Sequence, residues 1–187
     1  ICGLSMVASV DGKFFPDFAS ALEAVKAAKT CTLKLYTDHA YGESAMNSNT
    51  LGYTKLTVDL NGYELYGADG TSRVICVMDS AELVIQDTSA DKNGSVDNVQ
   101  ITLGSTTGGK LTLMSGAIDA LQADPNSTVT LQAGAKVRYL TTGSGQYRFP
   151  VAALLPGICG LVDEGGNWAD LSQTSVGSVT GTGYYTV

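Results

Sequence analysis

In this 187-residue chain, Asp59 and Asp87 are residues whose type and spacing suit them to chemistry: each follows a strand-like run, in KLTVDLNG and AELVIQD, and they lie 28 positions apart. Two carboxylates stacked on one face can divide the general acid and base work on a glycosidic bond. The same residues fit a plainer role, because Asp59 and Asn61 after a strand can bond the backbone of a turn while Gly62 takes positive φ. The turn role is the expected one. Asp91, Lys92 and Asp97 read as a solvated loop rather than a calcium cluster with a base beside it. His39 adjoins Asp38, a pairing that can orient an imidazole. A single histidine cannot furnish a metal site, and no G-x-S-x-G turn presents a nucleophile. Residues 104–109 are glycine-rich but lack the Lys-Ser/Thr ending of a phosphate cradle.

Tyrosine offers a better lead. Tyr36, Tyr41, Tyr53, Tyr63 and Tyr66 fall in the first third of the chain, and a phenol ring can stack on a sugar while its hydroxyl bonds a sugar oxygen. Tyr63 and Tyr66 are expected to cover strand surfaces. Tyr41 and Tyr53, with His39, are the expected ligand-binding residues of a polar loop over residues 37–54. No catalytic residue, metal ligand or cofactor is expected.

Composition narrows the partners. Eleven Lys and Arg against 18 Asp and Glu give a net charge of -7, which repels a phosphate backbone and argues against nucleic acid. No apolar run is long enough to span a bilayer, since the best approach, residues 151–162, is broken by Pro156, Gly157 and Gly160. No membrane insertion is expected. The four cysteines, Cys2, Cys31, Cys76 and Cys159, show no close pair of the metal-binding or redox kind. Their even number permits two disulfides, whereas Cys31 and Cys76, each in an apolar strand pattern, suit free thiols acting as small hydrophobes. The first residue is Ile1, without a basic and apolar leader, which suggests a processed product or a piece of a longer chain.

The elements that would position these residues are mostly strands. Residues 7–10 and 13–15 flank Asp11-Gly12, a pair suited to a tight hairpin turn. Residues 17–29 change period, with Phe18, Ala21, Leu22, Val25 and Ala28 on one helical face and Asp17 as N-cap. From residue 55 on, short alternating runs return between polar turns, centred on Val58, Val84, Thr112 and Thr130 at intervals of 26, 28 and 18 residues. Leu56, Val58, Leu60, Leu83, Ile85, Leu111, Leu113, Val129 and Leu131 are predicted to line one interior stack. The expected fold class is all-β, a right-handed parallel β-helix in a single domain, with residues 1–30 forming the hairpin and capping helix and residues 31–187 the coils. A β-sandwich shows the same alternation and stays open as an alternative.

The stretch VDGKFFPDFASALEAVKAAKTCTLKLY resembles the opening unit of parallel β-helix modules in large adhesin-like surface proteins of Gram-positive anaerobic bacteria. LTVDLNGYELYG, AELVIQD, GAIDAL, TVTLQAG and LLPGICGLVDEGGNW are similar to the coil segments of those modules. The resemblance implies an extracellular or cell-surface location and a structural or adhesive module that contacts a glycan or a surface protein through its loops. Two other readings remain: a carbohydrate-active enzyme, lyase or glycosidase, on the same fold, and a self-assembling fibre unit whose strand edges pair end to end.

Overall fold

The computed structural model describes residues 5–42, 45–67, 73–104, 106–124, 126–132, 134–141, 160–163, 168–170 and 179–186. Strands β1 (Ala8–Val10) and β2 (Lys13–Phe15) form an antiparallel hairpin. Its turn residues Asp11 and Gly12 both take positive φ, 48° and 82°, the geometry that matches strand twist and that this pair adopts at little cost. Helix α1 (Phe18–Ala28) starts where Asp17 accepts the Ser20 N–H and hydroxyl, each at 2.8 Å, satisfying a donor that the first helical turn leaves without a partner. It buries Phe18, Ala21, Leu22 and Val25 against the sheet and ends at Lys29, whose N–H reaches the Val25 carbonyl.

Strands β3 (Thr30–Leu35) and β4 (His39–Tyr41) follow, then a single helical turn, α2 (Ser48–Leu51). Next come β5 (Lys55–Asp59), β6 (Glu64–Gly67), β7 (Arg73–Met78), β8 (Glu82–Gln86) and the long β9 (Ser95–Gly104). The series continues through β10 (Lys110–Leu113), β11 (Ala117–Ala123), β12 (Thr128–Leu131) and β13 (Lys136–Thr141), and closes with β14 (Gly160–Asp163), β15 (Trp168–Asp170) and β16 (Val179–Thr186).

These strands make two sheets. The seven-stranded sheet runs β12-β10-β8-β5-β3-β1-β2, parallel from β12 to β3 and antiparallel at β1 and β2. The nine-stranded sheet runs β15-β14-β16-β13-β11-β9-β6-β4, with β7 also on β9; it is parallel from β4 to β13 and antiparallel beyond. Register stacks like residues on the inner face: Cys31, Leu56, Leu83, Leu111 and Val129 form one rung, and Leu33, Val58, Ile85, Leu113 and Leu131 the next. All nine predicted core positions are at most 2% exposed and belong to one buried cluster with Leu65, Val96, Ile118 and Val137 of the other sheet.

The expected fold class is corrected by this topology. The chain is not an all-β right-handed parallel β-helix: it forms two mixed, mostly parallel sheets with few helices, and no closed coil is found among the described residues. The physical reason is that alternation in sequence records only that each strand buries one face, which any half-buried sheet requires. It does not record antiparallel closure of a sheet at its ends.

The segment expected as a long polar loop over residues 37–54 is corrected as well. It supplies β4 and α2, and Met46, Leu51 and Tyr53 enter the core. Its polar residues serve the edge of β7: Asn47 Oδ1 accepts the Cys76 N–H at 2.7 Å and Ser48 Oγ the Met78 N–H at 2.9 Å, substituting for a missing neighbouring strand. The glycine-rich turn before β10 is a place of close approach, because a Cβ on Gly108 would strike the Asn126 carbonyl and one on Gly109 the Val77 carbonyl.

Candidate functional site

The C-terminal ends of β8, β10 and β12 lie side by side, so the residue after each core rung falls in one row across the sheet. Those residues are Gln86, Met114 and Gln132, following Ile85, Leu113 and Leu131. The Met114 N–H bonds the Ile85 carbonyl at 2.8 Å and the Gln132 N–H the Leu113 carbonyl at 2.9 Å, which holds the row in register. Neighbouring strands are about 4.8 Å apart, so the row is an evenly spaced platform of amide, thioether and amide. It lines an open groove of about 480 Å³ that also meets Thr88, Lys92 and Ser115. Met114 is 38% exposed, leaving an apolar face in a polar setting.

One wall of the groove is fixed by the turn after β8. Ser115 Oγ accepts the Asp87 N–H at 2.8 Å and donates to the Asp87 carbonyl at 3.1 Å, a carbonyl that also receives Lys92 Nζ at 3.0 Å. The Asp87 side chain is 1% exposed and accepts the N–H groups of Gly62 and Ser89 at 2.9 Å each and of Gly94 at 2.6 Å. Burial pushes this carboxyl up, but the hydrogen bonds from Ser89, Gly94 and Gly62 outweigh it and hold the group below its ordinary range. Asp59, 3% exposed, accepts the Thr88 N–H at 3.1 Å and its hydroxyl at 2.7 Å, and pairs with Lys34 Nζ at 3.1 Å. Each aspartate thus clamps the turn that follows the other's strand. Both are saturated with donors, which is the turn role and not that of paired carboxylates open to a sugar.

The three expected ligand-binding residues do not gather at this groove. Tyr41 is 1% exposed; its hydroxyl donates to the Val74 carbonyl at 3.2 Å and accepts the Met46 N–H at 3.1 Å, and burial pushes it up to about 12. Tyr53 is 3% exposed and donates to the Met46 carbonyl at 3.3 Å, with its phenol raised by burial and by Tyr41. Tyr53 borders a smaller hollow of about 250 Å³ with Asn49 and Ser80, but neither tyrosine offers a ring face to solvent. His39 is half-buried, its ring stacked on Phe18 with centroids 3.9 Å apart, and burial lowers its proton affinity.

On the other sheet, Glu64 lies beside Asp97, and its N–H bonds Asp38 Oδ1 at 2.8 Å. Burial, then the charges of Asp97 and Asp38, raise the Glu64 carboxyl above its ordinary value. Cys31 and Cys76 are free thiols, both raised by burial, Cys31 to about 11 with a contribution from Asp11; Cys2 and Cys159 lie outside the described residues. No group of three or more His, Cys, Asp or Glu suited to a metal ion is found among the described residues, and no described helix is long and apolar enough to cross a membrane.

No protein-family model matches the chain, and comparison with curated proteins and with solved structures gave no match either.

The groove residues went unmarked in the sequence reading, although a signal exists. Aligning VIQD, TLMS and TLQA on their last core residue places Gln86, Met114 and Gln132 in one column.

Proposed function

We propose that this chain is a cell-surface structural or adhesive module that binds a glycan in the groove over Gln86, Met114 and Gln132. The observation that carries the reading is the groove itself. Two amides supply donors and acceptors for sugar hydroxyls, an exposed thioether supplies an apolar surface for a ring, and the parallel sheet below holds all three without loop motion. The surface location rests on the resemblance of LTVDLNGYELYG, AELVIQD and TVTLQAG to segments of adhesin-like proteins. Titration of the purified chain with a glycan panel, followed by the Met114 methyl resonance, tests the reading. A bound glycan should shift that resonance, and Met114→Ala with Gln132→Ala should weaken binding without moving the thermal midpoint. Binding that leaves Met114 unshifted, or that requires a partner protein in place of a saccharide, sinks it.

A second reading, a carbohydrate-active enzyme, draws on Glu64. A carboxyl whose proton affinity is raised by burial and by the charges of Asp97 and Asp38 leans toward the work of a general acid. Depolymerisation of a polysaccharide that is lost in Glu64→Gln would favour it over the binding module.

A further inference from the structure

We infer that the groove selects a saccharide bearing a carboxylate, and that Lys92 is the residue that reads the charge. The inference rests on the glycan-binding reading above and refines it. Lys92 is held in place from both ends: its backbone lies in the left-handed region with φ 50°, its N–H bonds Ser89 Oγ at 3.1 Å, and its Nζ donates to the Asp87 carbonyl at 3.0 Å. An ammonium has three N–H donors. A neutral carbonyl uses one and leaves the charge uncompensated.

The other anchored lysines differ. The ion pairs among the described residues are Lys34 with Asp59 and Lys55 with Glu82, each at 3.1 Å, and Lys92 is in neither. The carboxylate of Asp87, whose carbonyl Lys92 touches, is occupied by the N–H groups of Gly62, Ser89 and Gly94. Asp91 and Lys92 are both exposed to solvent, which screens the attraction between these two charges and leaves the ammonium open to a ligand. The result is a positioned ammonium with two donors to spare, on the rim of a groove whose floor suits sugar hydroxyls. A single ammonium is a compact point charge that attracts a carboxylate without the two-pronged geometry of a guanidinium. The net charge of -7 repels anions at long range, but that repulsion is screened beyond about 8 Å at physiological ionic strength, so the contact at Lys92 decides.

The test is a calorimetric titration of the full chain with a glucuronic-acid disaccharide, its methyl ester and the corresponding neutral disaccharide, with the Met114 methyl resonance as reporter of the site. The acid should bind about tenfold more tightly than the ester, the gain expected of one charge-assisted contact, and added salt should shrink the difference. Lys92→Gln should bring the acid down to the affinity that the ester shows for the same variant, while Lys92→Arg keeps the preference. Equal affinity for acid and ester, or a preference that survives Lys92→Gln, overturns the role of Lys92 and leaves the glycan-binding reading standing. A sulfated disaccharide that outcompetes the uronate overturns the choice of carboxylate. If none of these sugars, charged or neutral, moves Met114, both readings fall together.

Discussion

Asp87 sets one buried negative charge against three backbone N–H groups, that of Gly62 in the turn after β5 and those of Ser89 and Gly94 in the loop that Asp87 itself opens. Replacement by Asn keeps the shape and loses the logic: whichever way the amide turns, its NH2 faces an N–H that needs an acceptor. Asp87→Asn should therefore cost about 1–3 kcal/mol, the penalty for an unsatisfied buried donor, read by denaturant unfolding at pH 7. The pH dependence follows from the same bonds. The folded carboxyl titrates below 3.8, so its stabilisation is present above that value and is lost as pH falls through the lowered pKa. The variant should lose that part of the acid limb. Glu64 has the opposite sign. Its carboxyl is raised above 4.5 in the folded state, so the fold is favoured below that value and loses stability as pH rises through the raised pKa. Glu64→Gln should then stabilise the chain at pH 7 by about 0.2–1 kcal/mol, the scale of a like-charge pair between strands. An unchanged or lower midpoint at pH 7 would show that the Asp38, Glu64 and Asp97 carboxyls do not strain one another.

At the scale of elements, the rungs of the seven-stranded sheet hold the molecule together. Ile85 sits between Val58 and Leu113 in its rung and is 1% exposed, so Ile85→Ala opens a cavity bounded by parallel strands that cannot close inward. It should cost about 2–5 kcal/mol, with Val58→Ala costing less because fewer atoms are lost; a change under about 1 kcal/mol for Ile85→Ala would mean that the rung is loosely packed. These positions were legible in the sequence because burial of one strand face imposes alternation directly. The Asp11-Gly12 turn and the helix over residues 17–29 were legible for local reasons too, positive φ in one case and a capped apolar stripe in the other. What was not legible depends on pairing at a distance. Asn47 and Ser48 look like loop residues until the edge of β7 is known to need acceptors for the N–H groups of Cys76 and Met78. Tyr41 and Tyr53 look exposed for the same reason. Gln86, Met114 and Gln132 become neighbours only through a register that joins strands 28 and 18 residues apart in sequence, counted from Gln86 to Met114 and from Met114 to Gln132.

At the scale of the whole molecule, the N-terminal hairpin and α1 close one end of the seven-stranded sheet. Strand β3 pairs with β5 on one side and with β1 on the other, and α1 packs on β1, β2 and β3 and touches α2. Without them, β3 would present a row of unpaired N–H and C=O groups beside the fully buried side chains of Leu33 and Leu35, the combination that recruits a second chain. The shielding is directional: β2, the native edge of the sheet, is three residues long and flanked by the turn at Asp11-Gly12, with Lys13 exposed and its Nζ 5.5 Å from the Phe15 ring centroid. A short edge carrying an exposed lysine resists strand addition, whereas a bare β3 is six residues long. Deleting residues 1–29 should therefore turn the protein into a concentration-dependent oligomer or aggregate under conditions in which the full chain shows no such dependence, measured by sedimentation or sizing across a dilution series. A charged substitution on the outward face of the bared strand, Thr32→Lys in the truncated chain, should reduce that association by making strand addition costly. If the truncated chain stays monomeric at every concentration, the hairpin and helix are ornaments on a sheet that is already closed, and the protective role assigned to them is wrong.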